Sequence, residues 1–167
     1  MEFIILSDTY TYPYHEHIIK ALVSLVSAGD SNAQIIDITD KTSLPDVSRR
    51  LSATSADCIL SLDLAGFELR TLTGECLLNM LPCKICNLLW GNKPEYTEYL
   101  SGKLSLSMLF YDATGKDNQL PLKYPNMRYY FTTPKAIPTA LDDAPTDSFM
   151  QLTLQDILNR FKEEVLL

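Results

Sequence analysis

Three short apolar runs, Phe3 to Leu6, Gln34 to Ile38 and Asp57 to Leu62, alternate with two stretches of helical spacing in the first part of the chain. That alternation constrains the fold more than any other feature. Phe3 to Leu6 is too short for a helix and too uniformly apolar for a half-exposed strand, so it suits a strand covered on both faces. It runs into a polar and aromatic turn, Ser7 to Pro13. Beyond it Ile18, Ile19, Leu22, Val23, Leu25 and Val26 recur on one helix face up to Gly29. A second helix is expected over Leu44 to Ala53, opened by Ser43 with Pro45 in its first turn and Asp46 following. Strand, helix, strand, helix, strand is the order that a parallel sheet with right-handed crossovers requires.

The pattern continues more loosely. Glu75 to Leu81 reads as a short helix ended by Pro82, and Lys84 to Trp90 as a fourth strand closed by Gly91-Asn92-Lys93-Pro94. Pro94 to Ser101 could be one more short helix, and Leu104 to Tyr111 a fifth strand stopped by Asp112. From there the chain is rich in proline and aromatic residues, and only Arg128 to Thr132 looks strand-like. Ser148 to Val165 returns to a helical period through Phe149, Leu152, Leu154, Ile157, Leu158 and Phe161. A length of 167 residues, 46% hydrophobic and 21% charged, is that of one domain with a core of its own. The expected fold is a single α/β domain, a three-layer Rossmann-like or flavodoxin-like sandwich around a mostly parallel sheet. Its irregular segment is about 112–147 and its C-terminal helix about 148–165.

Charge and apolar patterning exclude several classes. Lys and Arg number 14 against 21 Asp and Glu, a net charge of −7, with no basic cluster, so no nucleic-acid partner is expected. The first residues carry Glu2 where a secretory signal carries basic residues, and the longest apolar stretch, Cys76 to Trp90, is interrupted by Asn79, Pro82, Lys84 and Asn87. It falls short of the roughly 20 residues that span a bilayer. No membrane segment and a cytoplasmic location are therefore expected. Cys58, Cys76, Cys83 and Cys86 lie mostly in apolar runs and read as reduced core thiols. Cys83 and Cys86 match C-x-x-C, but their flanks read as a strand, in which residues three apart face opposite sides. No metal is expected at the cysteines, since the other two supply no second close pair.

Cofactor fingerprints are missing too. The first turn has no glycine to let a pyrophosphate approach the backbone, and neither G-x-x-x-x-G-K-[ST] nor G-x-S-x-G occurs, so no cofactor is expected. Position then selects candidates, because ligands of open parallel sheets sit beyond the carboxyl ends of the strands. The set is Asp8, Thr9, Tyr10, Tyr12 and His15 after the first strand; Asp63, Gly66, Glu68 and Arg70 after the third; and Trp90, Asn92 and Lys93 after the fourth. Aromatic rings beside carboxylates, amides and a guanidinium suit a sugar or a nucleotide, and they equally suit an ordinary capped surface.

Asp8, His15 and Glu68 are the candidates for catalysis: Glu68 has the chemistry of a general base, and Arg70 that of a phosphate or carboxylate holder. The plainer reading of Asp63, Glu68 and Arg70 is a salt-bridged loop. His15 and His17 frame Glu16 at the start of the first helix. Two residues apart on a helix they cannot share a metal, and they read as surface histidines, with His15 nearer the strand end.

The stretch Asp63-Leu64-Ala65-Gly66-Phe67-Glu68, then Asn79-Met80-Leu81-Pro82-Cys83 and a strand into Trp90-Gly91-Asn92, resembles the N-terminal Rossmann-like half of GT-B glycosyltransferases. It also resembles small uncharacterised bacterial proteins. The GT-B likeness covers about a third of the chain and implies an accessory or partial glycosyltransferase-like domain. A complete enzyme of that kind has a second half, for which the 167 residues leave no room.

The function expected is binding of a small polar ligand, a carbohydrate or nucleotide, at the strand ends. One alternative is an interaction or homodimerisation module using Tyr124, Tyr129, Tyr130 and Phe131. Another is a small hydrolase using Asp8 or Glu68 with a histidine.

Overall fold

The computed structural model describes residues 1–89, 108–112, 128–131 and 147–166, with side chains at most of them. The apolar runs become β1 (Glu2–Ser7), β2 (Asn32–Asp37), β3 (Cys58–Leu62), β4 (Lys84–Leu89), β5 (Met108–Asp112) and β6 (Arg128–Phe131). All pair in parallel in one sheet of order β2-β1-β3-β4-β5-β6. Between and after them run α1 (His15–Ala28), α2 (Leu44–Ser52) and α3 (Asp147–Leu166).

The strand patterns follow from position in the sheet. Every residue of β3 is buried, as are all of β1 and β4 except their first, which is why these central strands read as unbroken apolar runs. β2 has one neighbour only and is fully buried at Ile36 alone. At this edge Arg50 Nη2 donates to the Ile35 carbonyl at 3.1 Å and so occupies one acceptor that would otherwise invite another strand.

Alternation along the strands feeds two cores. On one face Phe3, Ile5, Cys58, Leu60, Cys86 and Leu88 meet Ile18, Leu22 and Val26 of α1 and Leu154, Leu158 and Phe161 of α3. On the other Ile4, Leu6, Ile59, Ile85 and Leu89 meet Val47 and Leu51 of α2 together with Leu64, Phe67, Leu69 and Leu78 from the β3–β4 connection. Helices therefore cover both faces, giving the three-layer α/β sandwich. Cys83, just before β4, falls in the second core and Cys86, within β4, in the first. All four thiols are buried and free.

Several local expectations are corrected. The segment expected as a helix over Glu75 to Leu81 forms only a 3-10 turn, Leu77–Met80. Tertiary pairing competes with the helix: the Leu77 N–H donates to the Leu69 carbonyl at 2.9 Å, and Cys76 bridges Arg70 antiparallel. Leu81, preceding Pro82, is extended for the steric reason that applies before any proline. Ser43 does not cap α2 through its side chain. Asp40 does the capping one turn earlier, accepting from the N–H groups of Thr42 and Ser43 and opening a 3-10 turn, Lys41–Ser43, that feeds the helix. By contrast, the strand-like run expected at Arg128 to Thr132, within the otherwise irregular span, is found as the strand Arg128–Phe131, in register with β5. The expected helix over Pro94 to Ser101 lies outside the described residues, as do the start of the expected fifth strand, Tyr124, Trp90, Asn92 and Lys93. Among the described residues no helix is long and apolar enough to cross a membrane.

Candidate functional site at the topological switch point

From β1 the chain passes to β2 on one side, and from β3 it passes to β4 on the other. The strand order thus reverses between β1 and β3, and the crevice beyond their carboxyl ends is where open α/β sheets bind ligands. Two loops border it: Ser7 to Tyr14 after β1, and Asp63 to Glu68 after β3.

The first loop is built around its own carboxylate. Asp8 Oδ1 accepts the Thr11 N–H at 2.8 Å, and the Asp8 carbonyl accepts the Tyr12 N–H at 2.9 Å. The Tyr12 carbonyl in turn accepts the His15 N–H at 2.9 Å, so the turn delivers the chain directly into α1. Thr9 faces away from the second loop. Its N–H donates to Asp37 Oδ1 at 3.0 Å and its hydroxyl donates to Asp37 Oδ2, while Ser7 Oγ donates to Asp37 Oδ1 at 2.7 Å. The β1 loop is thereby fastened to the end of β2.

His15 fastens it to the end of β3. The ring is fully buried, which corrects its reading as a surface histidine; His17 is exposed as expected. Nδ1 accepts the Asp8 N–H at 3.0 Å, and Nε2 lies 2.9 Å from Asp63 Oδ2. A nitrogen that accepts a backbone N–H carries no proton, so the proton is on Nε2 and is donated to Asp63. Both ring nitrogens are committed in this arrangement. The Tyr14 hydroxyl also donates to Asp63 Oδ2. Burial first, and the Asp63 carboxylate second, push the Tyr14 hydroxyl far above the ordinary tyrosine value, so it stays a donor. The rings of Tyr12 and Tyr14 enclose the imidazole at centroid distances of 5.0 and 5.1 Å, the second edge-on.

On the other side Asp63 is turned inward by a left-handed backbone, φ 48°, followed by Leu64 at φ 59°. Such conformations cost non-glycine residues free energy and persist where surrounding contacts enforce them. Here the Asp63 N–H donates to the Leu88 carbonyl at 2.8 Å while its carboxylate serves Tyr14 and His15. Gly66 follows at φ 83°, and a Cβ there would stand 2.7 Å from Leu6 Cδ2. Only glycine fits that turn. Glu68 is half-buried. Burial is the main cause that raises its carboxyl above the ordinary value, and Asp8 nearby adds to it, against hydrogen bonds from the backbone at Glu68 and Gly66.

Asp8, Tyr12, His15, Asp63, Gly66 and Glu68 therefore come together around the switch point, with Tyr10 beside them at 57% exposure. Arg70 does not hold this loop in the salt-bridged arrangement expected of it. Asp63 turns inward to Tyr14 and His15, and Arg70 is exposed. Two participants escaped the sequence reading. Tyr14 directly precedes the helix and adjoins His15, and Asp37 ends the apolar run of β2, which are the signals that could have found them. Among the described residues no group of three or more His, Cys, Asp or Glu is arranged to hold a metal ion. No protein-family model matches this chain, and no curated protein matches it.

Proposed function

We propose that the crevice between the β1 and β3 loops binds a small hydroxyl-rich ligand, a carbohydrate or the sugar part of a nucleotide. The observation that carries this reading is the gathering of Asp8, Asp63 and Glu68 with Tyr12 and Tyr14 at the one place where the strand order reverses. Carboxylates accept hydrogen bonds from hydroxyl groups, and aromatic faces stack on the apolar face of a sugar ring.

Charge and the start of α1 favour the sugar over a phosphate. The first N–H groups of α1, those of His15, Glu16 and His17, are taken by the carbonyls of Tyr12, Pro13 and Tyr14, whereas phosphate-binding turns present bare N–H groups with glycines. An accessory, glycosyltransferase-like role is what the sequence resemblance adds to this reading, and four buried free thiols suit the reducing cytoplasm.

Thermal-shift and calorimetric titration with neutral sugars, sugar nucleotides and nucleotides tests it. A neutral sugar or sugar nucleotide should raise the melting temperature. Glu68→Gln should weaken that ligand by about tenfold, the worth of one hydrogen bond to a charged group, and Tyr10→Ala should weaken it less. Silence across all three classes, or undiminished affinity in Glu68→Gln, overturns the proposal.

A further inference from the structure

His15 joins both loops of the switch point, beside the Tyr14 hydroxyl that also donates to Asp63, and it does so through an acceptor and a donor of different character. Asp8 N–H to Nδ1, at 3.0 Å, holds the β1 loop. Nε2–H to Asp63 Oδ2, at 2.9 Å, holds the end of β3. The ring has no solvent exposure, so no water stands ready to replace either partner. From this geometry we infer that His15 is a proton-controlled staple, which ties Asp8 to Asp63 in its neutral form and releases the Asp8 N–H when it takes a second proton, while Tyr14 on Asp63 and Ser7 and Thr9 on Asp37 keep the rest of the β1 loop in place.

The reason is stereochemical. A second proton, drawn from solvent, can go only onto Nδ1, and there it meets the Asp8 N–H. Two donors then face each other across a hydrogen-bond distance. The Asp63 bond survives and strengthens, because an imidazolium still donates from Nε2 to a carboxylate. The asymmetry makes the outcome directional: protonation breaks the tie to Asp8 and leaves the tie to Asp63.

Asp8 is also the residue that organises its loop, through Thr11 and Tyr12, so a shift of its N–H propagates along the turn into the start of α1. The titratable groups facing the ring are Asp8, Tyr12 and Tyr14 from the β1 loop and Asp63 from the end of β3, with Glu68 in the loop beyond close to Asp8. Glu16 and His17, its neighbours on α1, are exposed. The staple belongs to the protein itself and does not depend on the ligand reading above.

Nuclear magnetic resonance of the whole chain decides the matter. At neutral pH, long-range proton–nitrogen spectra of the His15 ring should show Nε2 protonated and Nδ1 bare. As the pH is lowered from neutral, the Asp8 amide proton should shift together with Nδ1 and lose its protection from solvent exchange. His17 serves as the exposed reference. His15→Asn keeps an acceptor near the Nδ1 position and cannot take the proton, so its Asp8 amide should lose this response; if that variant does not fold, the ring spectra of the unaltered protein still decide. Four results overturn the inference: an Nδ1–H tautomer at neutral pH, a ring that stays neutral throughout, an Asp8 amide unmoved while Nδ1 titrates, or an undiminished response in a folded His15→Asn.

Discussion

Gly66 and Gly74 have the same left-handed backbone, φ 83° and 84°, in different surroundings. A Cβ at Gly74 meets nothing within 4 Å, whereas at Gly66 it meets Leu6 Cδ2 at 2.7 Å. Gly74→Ala is therefore expected to cost about 1–2 kcal/mol for the backbone alone. Gly66→Ala adds overpacking of a buried leucine, about 1–3 kcal/mol more. Urea midpoints of the two variants check this, and equal costs would contradict the crowding at Leu6. Glu68 makes a prediction in pH. Its carboxyl is raised in the folded protein, mainly by burial, above the value of 4.5 it has in an open chain. The folded state then holds its proton longer than the unfolded state, so this contribution to stability is complete at low pH and declines as pH rises from about 4.5 through the raised value. Glu68→Gln removes the decline, and its stability relative to the unaltered protein should climb across that window in urea titrations at successive pH values. At this scale the sequence supplied residue types and not their partners. His15 was legible as a residue near a strand end, but its burial depends on Asp63, 48 positions away.

At the scale of elements, the central strands were legible because burial on both faces writes a continuous apolar run, as β1, β3 and β4 show. Helix α1 was legible from its spacing and from Gly29, which caps it. One cap and one identity were misread for local reasons. Asp40 lies three residues before the serine that looked like the cap, and the Leu77–Met80 turn is drawn out of helical form by pairing back to Leu69. Strand β4 carries a prediction of its own. Cys83 and Cys86 belong to opposite cores, so no disulfide should form between them, and none of the four thiols should react with an aromatic disulfide reagent until the protein is denatured. Burial pushes the Cys58 thiol up to about 12 and raises Cys86 as well. An unfolded chain ionises these thiols from about 9, while the folded chain keeps Cys58 protonated, so their contribution to stability is lost as pH rises from about 9 to 12. Unfolding midpoints at alkaline pH should fall for this reason, and less steeply in Cys58→Ala than in the unaltered protein.

At the scale of the whole molecule, the alternation of strands and helices announced a parallel sheet, but not that its order is β2-β1-β3-β4-β5-β6. Order is a long-range property. It decides that the loops after β1 and β3 are neighbours, and so turns residues 55 positions apart, Asp8 and Asp63, into parts of one crevice. The staple at His15 and the strain at Asp63 and Leu64 then make sense as features of a place where two chain reversals meet. The claim that this crevice is the ligand site is tested most directly by mapping backbone amide shifts while a panel of neutral sugars and sugar nucleotides is titrated into labelled protein. Saturable shifts concentrated in residues 8–15 and 63–68 are the predicted result. Saturable shifts elsewhere with these two loops unmoved, or no saturable shift from any member of the panel, would contradict it.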